Sequence, residues 1–81
     1  MKTLILKNDT EMRCYIIDKI ISFQVYKDSS GKYSSVNIYT VDDIVYRVTS
    51  NVKRVANSLY MFFTQDVLDT LVVEFSFSEF L

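Results

Sequence analysis

The chain of 81 residues lacks histidine and proline, and it contains a single glycine and a single cysteine. Without histidine it has neither the commonest general base nor the commonest metal ligand of proteins. A lone cysteine excludes an intrachain disulfide and a thiolate zinc cage. Cys14 lies in an alternating strand and has no histidine to activate it, so we expect it to be a small buried apolar side chain. One glycine excludes a glycine-rich phosphate loop. We therefore predict a protein that is not an enzyme, with no catalytic residue, no metal and no cofactor.

The chain also lacks an excess of either charge and any extended apolar segment. Its formal net charge is −1, so the basic excess that is typical of nucleic-acid-binding proteins is missing. The stretch "MKTLILKNDTEMR" has three apolar residues in a row before charge returns, which is too few for a signal-peptide core. No stretch has the length that spans a bilayer. With the lone cysteine, these absences predict a cytoplasmic protein without membrane contact.

What the chain does contain is apolar and aromatic. Hydrophobic residues make up 49% of it and aromatic residues 15%, with six Tyr and six Phe. This composition excludes intrinsic disorder, because disordered chains are poor in aromatic residues. The length predicts one small domain covering residues 1–81. Domains of this size bury a limited core, and oligomerisation commonly supports them.

Alternation of apolar and polar residues predicts several strands. Residues 3–7 form a short one, and a longer run covers residues 12–26, with a change of parity near Asp18 that predicts a bend. The loop "KDSSGK", which holds Gly31, predicts a hairpin between residues 20–26 and 35–41. The side chains that alternation places on one face of the long run are Met12, Cys14 and Ile16 in its first half and Ile21, Phe23 and Val25 in its second half.

A second hairpin is predicted in "YTVDDIVYRV", with Asp42 and Asp43 as a two-residue loop. Such a loop places Tyr39 opposite Tyr46. A four-residue loop would keep the same assignment of faces, whereas a three-residue loop would break it. With the shorter loop, one face carries Asn37, Tyr39, Val41, Ile44, Tyr46 and Val48, and the other carries Val36, Ile38, Thr40, Val45, Arg47 and Thr49.

Helical spacing of apolar residues in "SNVKRVANSLYMFFTQ" predicts a helix, with Ser50 or Asn51 as its N-cap. The stretch "TLVVEFSFSEFL" alternates over its whole length and predicts a final strand, with Leu71, Val73, Phe75 and Phe77 on its packed face. The fold class is therefore predicted to be α+β, an antiparallel sheet of about five to six strands with one helix packed on it.

One helix can cover one face of such a sheet, and we expect it to cover the Tyr39 and Tyr46 face. The opposite face then needs a second chain or a partner, unless the sheet curls into a small barrel. The remaining tyrosines do not all fit the core face and are either part of this contact, since Tyr is enriched at interfaces, or scattered on the surface. The predicted interface residues are Tyr15, Tyr26, Tyr33, Val36, Ile38, Val45, Arg47 and Tyr60.

The start of the helix is a second candidate site. Lys53 and Arg54 fall in its first turn, next to Ser50 and Asn51. Together these residues could hold a phosphate, although two cations beside a polar cap are also an ordinary solvated helix face. Stacking of a base on the tyrosines would complete a nucleotide or single-strand site.

The order of four strands and a helix, with "IDKI" before a strand, resembles short flagellar accessory proteins of the FlbD type over residues 3–60, with "LKND" where that family has a Leu-Asn-Gly turn. The resemblance implies an accessory or regulatory protein. Size, low glycine content and missing catalytic residue types also resemble small inhibitor proteins of phages and mobile elements. We rank first a protein-binding module, in the form of an inhibitor that blocks a larger complex and acts as a homodimer or through a sheet edge. A nucleotide or single-stranded nucleic-acid binder is the alternative, and a flagellar-type regulator is the next.

Overall fold

The computed structural model describes residues 2–81 and confirms an α+β fold. The strands form two sheets instead of the single sheet expected, with the orders β2-β1-β6 and β3-β4-β5-β7. The elements in chain order are β1 (Thr3–Lys7), β2 (Met12–Ile16), a 3₁₀ turn (Ile17–Lys19), β3 (Ile20–Lys27), β4 (Tyr33–Thr40), β5 (Ile44–Val48), α1 (Val52–Thr64), β6 (Thr70–Glu74) and β7 (Phe77–Phe80).

The chain joins the two sheets at both of their edges. The predicted bend near Asp18 is confirmed as the 3₁₀ turn, through which β2 leads directly into β3. At the opposite side, Phe75 and Ser76 connect β6 to β7. The Phe75 N–H donates to the carbonyl of Lys7 in β1 at 3.0 Å, and the Ser76 N–H donates to the carbonyl of Arg47 in β5 at 2.8 Å. The sheets therefore close around a shared interior, and β1 and β6 form a parallel pair.

The prediction of one uninterrupted C-terminal strand is wrong, because the change of sheet at Phe75 and Ser76 also changes which side chains point inward. Val73 and Phe75 are buried, as expected. Phe77 is 45% exposed instead of packed. Its register partner is Arg47, which lies on the outer side of β5.

The first predicted hairpin is confirmed as β3 and β4. Gly31 has a φ of 85°, a conformation that costs glycine little. The carboxylate of Asp28 accepts hydrogen bonds from the Ser30 hydroxyl at 2.6 Å and from the Lys32 backbone N–H at 3.0 Å. The hydrogen bond from Ser30 contributes most to a lowered pKa of Asp28, followed by the bond from Lys32. Both bonds also hold the ends of the loop together.

The second hairpin is confirmed, but its loop has three residues, 41–43, instead of two. The Asp43 N–H donates to the Thr40 carbonyl at 3.2 Å, and Asp43 has a φ of 63°. A turn followed by a left-handed residue is the usual geometry of a three-residue hairpin loop, and Asp tolerates this conformation better than most residues. Tyr46 therefore lies opposite Ile38 instead of Tyr39. The interior face of this hairpin consists of Val36, Ile38, Thr40, Ile44, Tyr46 and Val48.

The interior is filled by side chains of this one chain. Val36 and Ile38 are fully buried, and Val45 is 2% exposed although it lies on the other side of β5. The expectation that a second chain covers these three residues is therefore wrong. The second sheet and the helix cover Val36 and Ile38, because all of them contribute to one core that also contains Leu4, Leu6, Tyr15, Ile20, Ile44, Tyr46, Val48, Val52, Ala56, Leu59, Phe62, Val73 and Phe75.

Two predictions for β2 are also corrected. Tyr15 is buried instead of exposed at an interface, because the antiparallel register places it opposite Leu4, which points into the core. Met12, Cys14 and Ile16 on the alternate side are exposed, so Cys14 is a surface thiol and not a buried apolar residue.

The helix α1 buries Val52, Ala56, Leu59 and Phe62 against β4 and β6. Asn51 is the N-cap, as one of the two predicted alternatives, but it has a left-handed conformation and its side chain makes no capping hydrogen bond. Lys53 and Arg54 are exposed in the first turn. Within residues 2–81, no helix combines the length and apolar character needed to cross a membrane.

Candidate functional site

A buried cluster of hydroxyl groups lies where β2 meets the second hairpin. The Tyr15 and Tyr46 hydroxyl oxygens are 2.6 Å apart, and the Tyr15 hydroxyl donates to the carboxylate of Asp42 at 2.9 Å. The Thr40 hydroxyl donates to the same carboxylate. The Tyr46 ring also packs edge to face against Tyr15 and Phe75. The cluster thus fixes the loop of the second hairpin to β2.

Burial and hydrogen bonding shift the pKa values of Tyr46 and Asp42 in opposite directions. Burial, and then the hydrogen bond with Tyr15, raise the pKa of Tyr46 well above its usual range, so this hydroxyl keeps its proton and cannot act as a base. Burial of Asp42 opposes ionisation, but the hydrogen bonds from Thr40 and Tyr15 outweigh it and lower the pKa of Asp42. Asp42 accepts the Thr40 hydrogen bond and Asp43 takes the left-handed position of the loop, so both aspartates form the turn, as the sequence predicts.

The lowered pKa of Asp42 predicts a loss of stability in acid. A carboxylate with a depressed folded pKa stabilises the protein above its unfolded pKa of about 3.9, and this stabilisation disappears as the pH falls through the folded value. We expect Asp42→Asn to lower the free energy of unfolding by about 1 kcal/mol at pH 7. As the pH falls below about 5, the free energy of unfolding should decrease less in this variant than in the wild type. Thermal unfolding followed by circular dichroism at several pH values measures both effects.

The matched control for this prediction is Asp43→Asn. It removes the same formal charge, while Asn tolerates the left-handed conformation and the hydrogen bonds of Thr40 and Tyr15 to Asp42 remain. An acid transition that changes equally in both variants would show that net charge, and not the Asp42 hydrogen bonds, sets the pH dependence.

Arg47 is the centre of a polar and aromatic network on the outer face of the four-stranded sheet. Its Nε donates to the Asn37 side-chain carbonyl at 2.9 Å, and its Nη2 lies 3.4 Å from the Glu79 carboxylate. The guanidinium also lies over the Phe77 ring, 5.2 Å from its centroid. The Asn37 amide nitrogen donates to the Tyr39 hydroxyl at 3.3 Å, and this bond is the first cause of a lowered pKa of Tyr39.

Strand β3 presents an exposed edge next to this face. It pairs with β4 on one side, and no described strand pairs with its other side. Its pairing with β4 is irregular at each end, between Ile20 and Ser22 and between Tyr26 and Lys27, and is regular between these points. The large apolar side chains exposed along β2 and β3 are Met12, Ile16, Ile21, Val25 and Tyr26.

An open groove of about 830 Å³ lies between the start of α1 and the β3–β4 loop. The predicted anion-site residues Asn51, Lys53 and Arg54 line it, and Ser50 lies outside it. The residues that complete its lining are Lys32, Tyr33, Thr49, Val52, Asn57, Ser58 and Met61. The fold thus brings the predicted helix-start residues together with Tyr33, one of the predicted interface tyrosines.

The other predicted interface residues do not form one surface. Tyr26 and Tyr60 are exposed, at 42% and 62%, and Tyr33 is exposed at the groove, so the expectation that the remaining tyrosines do not all fit the core face is confirmed. Arg47 is half-buried in its network. The sequence did not predict a binding role for several other exposed residues near these surfaces, namely Ile21, Val25, Lys27, Lys32 and Phe77. Alternation of apolar and polar residues could not identify them as binding residues, because it does not show which strand lies at the edge of a sheet.

No group of three or more Cys, Asp or Glu side chains that could hold a metal ion occurs within residues 2–81. The edge of β3 and the groove are two candidate binding surfaces. Comparison of the chain with protein-family models, with curated proteins and with solved structures finds no match.

Proposed function

We propose that the protein is a non-catalytic protein-binding module that associates by strand addition at the edge of β3. The observation that supports this most directly is the composition of that edge. Residues 20–26, "IISFQVY", contain neither a charge nor a proline, and the charged residue of this edge strand is Lys27 at its end. Natural proteins usually protect such edges with lysine, proline or a covering loop, because unpaired backbone groups invite another strand.

The side chains along this edge add to backbone pairing. Ile21 is 63% exposed, and Val25 and Tyr26 also reach the surface. In strand addition, backbone hydrogen bonds supply affinity and alternate side chains supply specificity. The irregularities near both ends restrict the flat part of the edge to residues 22–26. The contact is therefore short and suits reversible association.

The partner that fits this edge is a second copy of the chain, with β3 antiparallel to β3 across a two-fold axis. The run is uncharged, so two copies do not repel one another there. Such pairing joins two four-stranded sheets into one and places their Arg47 networks on the same side. In our proposal this joined face contacts a larger protein and inhibits it by covering its surface. The exposed thiol of Cys14, with no cysteine partner in the chain, supports a reducing, cytoplasmic setting.

Light scattering over micromolar to millimolar protein concentrations tests the proposal. We expect the mass to rise from 9.5 kDa to twice that value in the wild type. The double variant Ile21→Lys with Gln24→Lys places like charges on the edge without altering the core, since both side chains are exposed. We expect it to weaken association at least roughly tenfold, which corresponds to about 1.4 kcal/mol.

The matched control is Tyr60→Lys with Gln65→Lys, which adds the same charge at exposed positions of α1 and its C-cap. It should associate like the wild type, and amide exchange should slow at residues 22–26 as the dimer forms. A mass of 9.5 kDa at every concentration, or slowed exchange elsewhere, contradicts pairing through β3.

A further inference from the structure

The cations of this protein are unevenly compensated. Four of its nine Lys and Arg side chains form ion pairs with carboxylates: Lys2, Lys7, Arg13 and Arg47. Five form none within residues 2–81. Lys19 is one of them, and the other four are Lys32, Lys53 and Arg54 in the groove and Lys27 beside Tyr33. The uncompensated positive charge is thus concentrated at one place.

The lining of the groove contains three cations and no carboxylate. Asp28, in the adjacent loop, is ionised but lies outside the lining and forms no ion pair with these cations within residues 2–81. Lys53 and Arg54 also stand in the first turn of a helix, where the macrodipole makes cations unfavourable by a few tenths of a kcal/mol. No ion pair within residues 2–81 neutralises these cations, and an anionic ligand in the groove would do so.

The uncharged side chains of the groove define the ligand further. The Tyr33 ring lies at its wall with the Lys27 ammonium 4.9 Å from the ring centroid. Polar neutral side chains, Thr49, Asn51, Asn57 and Ser58, supply hydrogen-bond donors and acceptors. Cations that meet phosphates, combined with an aromatic ring on which a base stacks, are the usual elements of single-strand recognition.

We propose that this groove binds single-stranded nucleic acid, with Lys32, Lys53 and Arg54 at its phosphates and Tyr33 stacked against a base. The cations come from two separate segments, so the site fits a strand with several phosphates better than a single anion. The overall charge of −1 keeps long-range attraction weak, and binding depends on the groove itself. This site is separate from the β3 edge and does not depend on dimer formation.

Fluorescence anisotropy of a labelled oligothymidylate, titrated with monomeric protein at several salt concentrations, tests the proposal. The affinity should fall as salt rises, with a slope of about −0.7 per phosphate contact in a plot of log K against log salt. Lys53→Glu should weaken binding several-fold and reduce that slope by about 0.7. Tyr33→Leu should weaken it roughly tenfold at an unchanged slope, because stacking releases no counterions, and Tyr33→Phe should restore it.

The matched control is Lys19→Glu, which makes the same charge change at an exposed, uncompensated cation outside the groove. It should leave affinity nearly unchanged. Equal losses in Lys19→Glu and Lys53→Glu, an affinity that Tyr33→Leu does not alter, or no binding at low salt would each overturn the proposal. Thermal melting confirms that every variant is folded, and a failure here would leave the proposed β3 pairing untouched.

Discussion

Phe62→Ala is expected to destabilise the protein by about 3–5 kcal/mol, which approaches the whole stability of a small domain. Phe62 is fully buried on the inner side of α1, and its ring packs edge to face against Phe63 with the centroids 5.5 Å apart. The helix is attached to the sheets by a few side chains, and a cavity at this position removes the largest of them. Urea unfolding followed by circular dichroism measures the change.

Tyr60→Ala is the matched control on the same helix. Tyr60 is exposed, and alanine has the higher helix propensity, so stability should stay within about 0.5 kcal/mol of the wild type. If both variants lost similar stability, the effect would come from the helix itself and not from its buried face.

Tyr46→Ala is expected to be as damaging, at about 3–5 kcal/mol, while Tyr46→Phe should cost about 0.5–1.5 kcal/mol. The ring is fully buried between Tyr15 and Phe75, with centroid distances of 5.8 Å and 4.9 Å. Phenylalanine keeps this packing and loses the hydroxyl. The Tyr15 hydroxyl is not left unpaired in that variant, because it still donates to Asp42.

The pair of variants at Tyr46 separates packing from hydrogen bonding by thermal unfolding. One kcal/mol corresponds to a shift of about 4–8 °C in a domain of this size, so Tyr46→Phe should melt several degrees below the wild type. Tyr46→Ala should melt far below Tyr46→Phe, because it also loses the packing of the ring. A Tyr46→Phe variant as unstable as Tyr46→Ala would mean that the hydroxyl cluster, and not the ring, holds β5 in place.

Local patterns in the sequence predicted most elements correctly. Helical spacing located α1, alternation located most of the strands, and Gly31 marked the loop of the first hairpin. The second hairpin shows the limit of such patterns. One additional loop residue reverses the side to which every side chain of a strand points, and two aspartates fit a two-residue and a three-residue loop equally well. The face assignment for residues 35–49 therefore could not be settled locally.

The division into two sheets could not be predicted because it depends on long-range pairing. The stretch "TLVVEFSFSEFL" alternates without interruption, yet hydrogen bonds from Phe75 and Ser76 attach it to two different sheets. Once the sheets close, the residues that we expected to need a second chain are covered from within. The prediction failed because a local pattern gives the faces of a strand but not its neighbours.

The candidate sites were predictable only where their residues are close in sequence, because local patterns do not give long-range contacts. Asn51, Lys53 and Arg54 are close in sequence, so their grouping could be read from the helix pattern. Lys32 and Tyr33 reach the same groove from the β3–β4 loop and the start of β4, a contact that only the tertiary fold creates. The edge of β3 likewise becomes visible once the strand order is known.

The junction at Phe75 and Ser76 also has a consequence for the path of folding. Residues 70–80 complete both sheets, and β6 pairs with β1 across the sequence distance between Thr3 and Thr70. Because long-range pairs must close a large loop before they gain contacts, this step should be slow compared with the formation of the two hairpins. During synthesis on the ribosome, the apolar faces of the earlier strands therefore stay exposed to solvent until residues 70–80 have been synthesised.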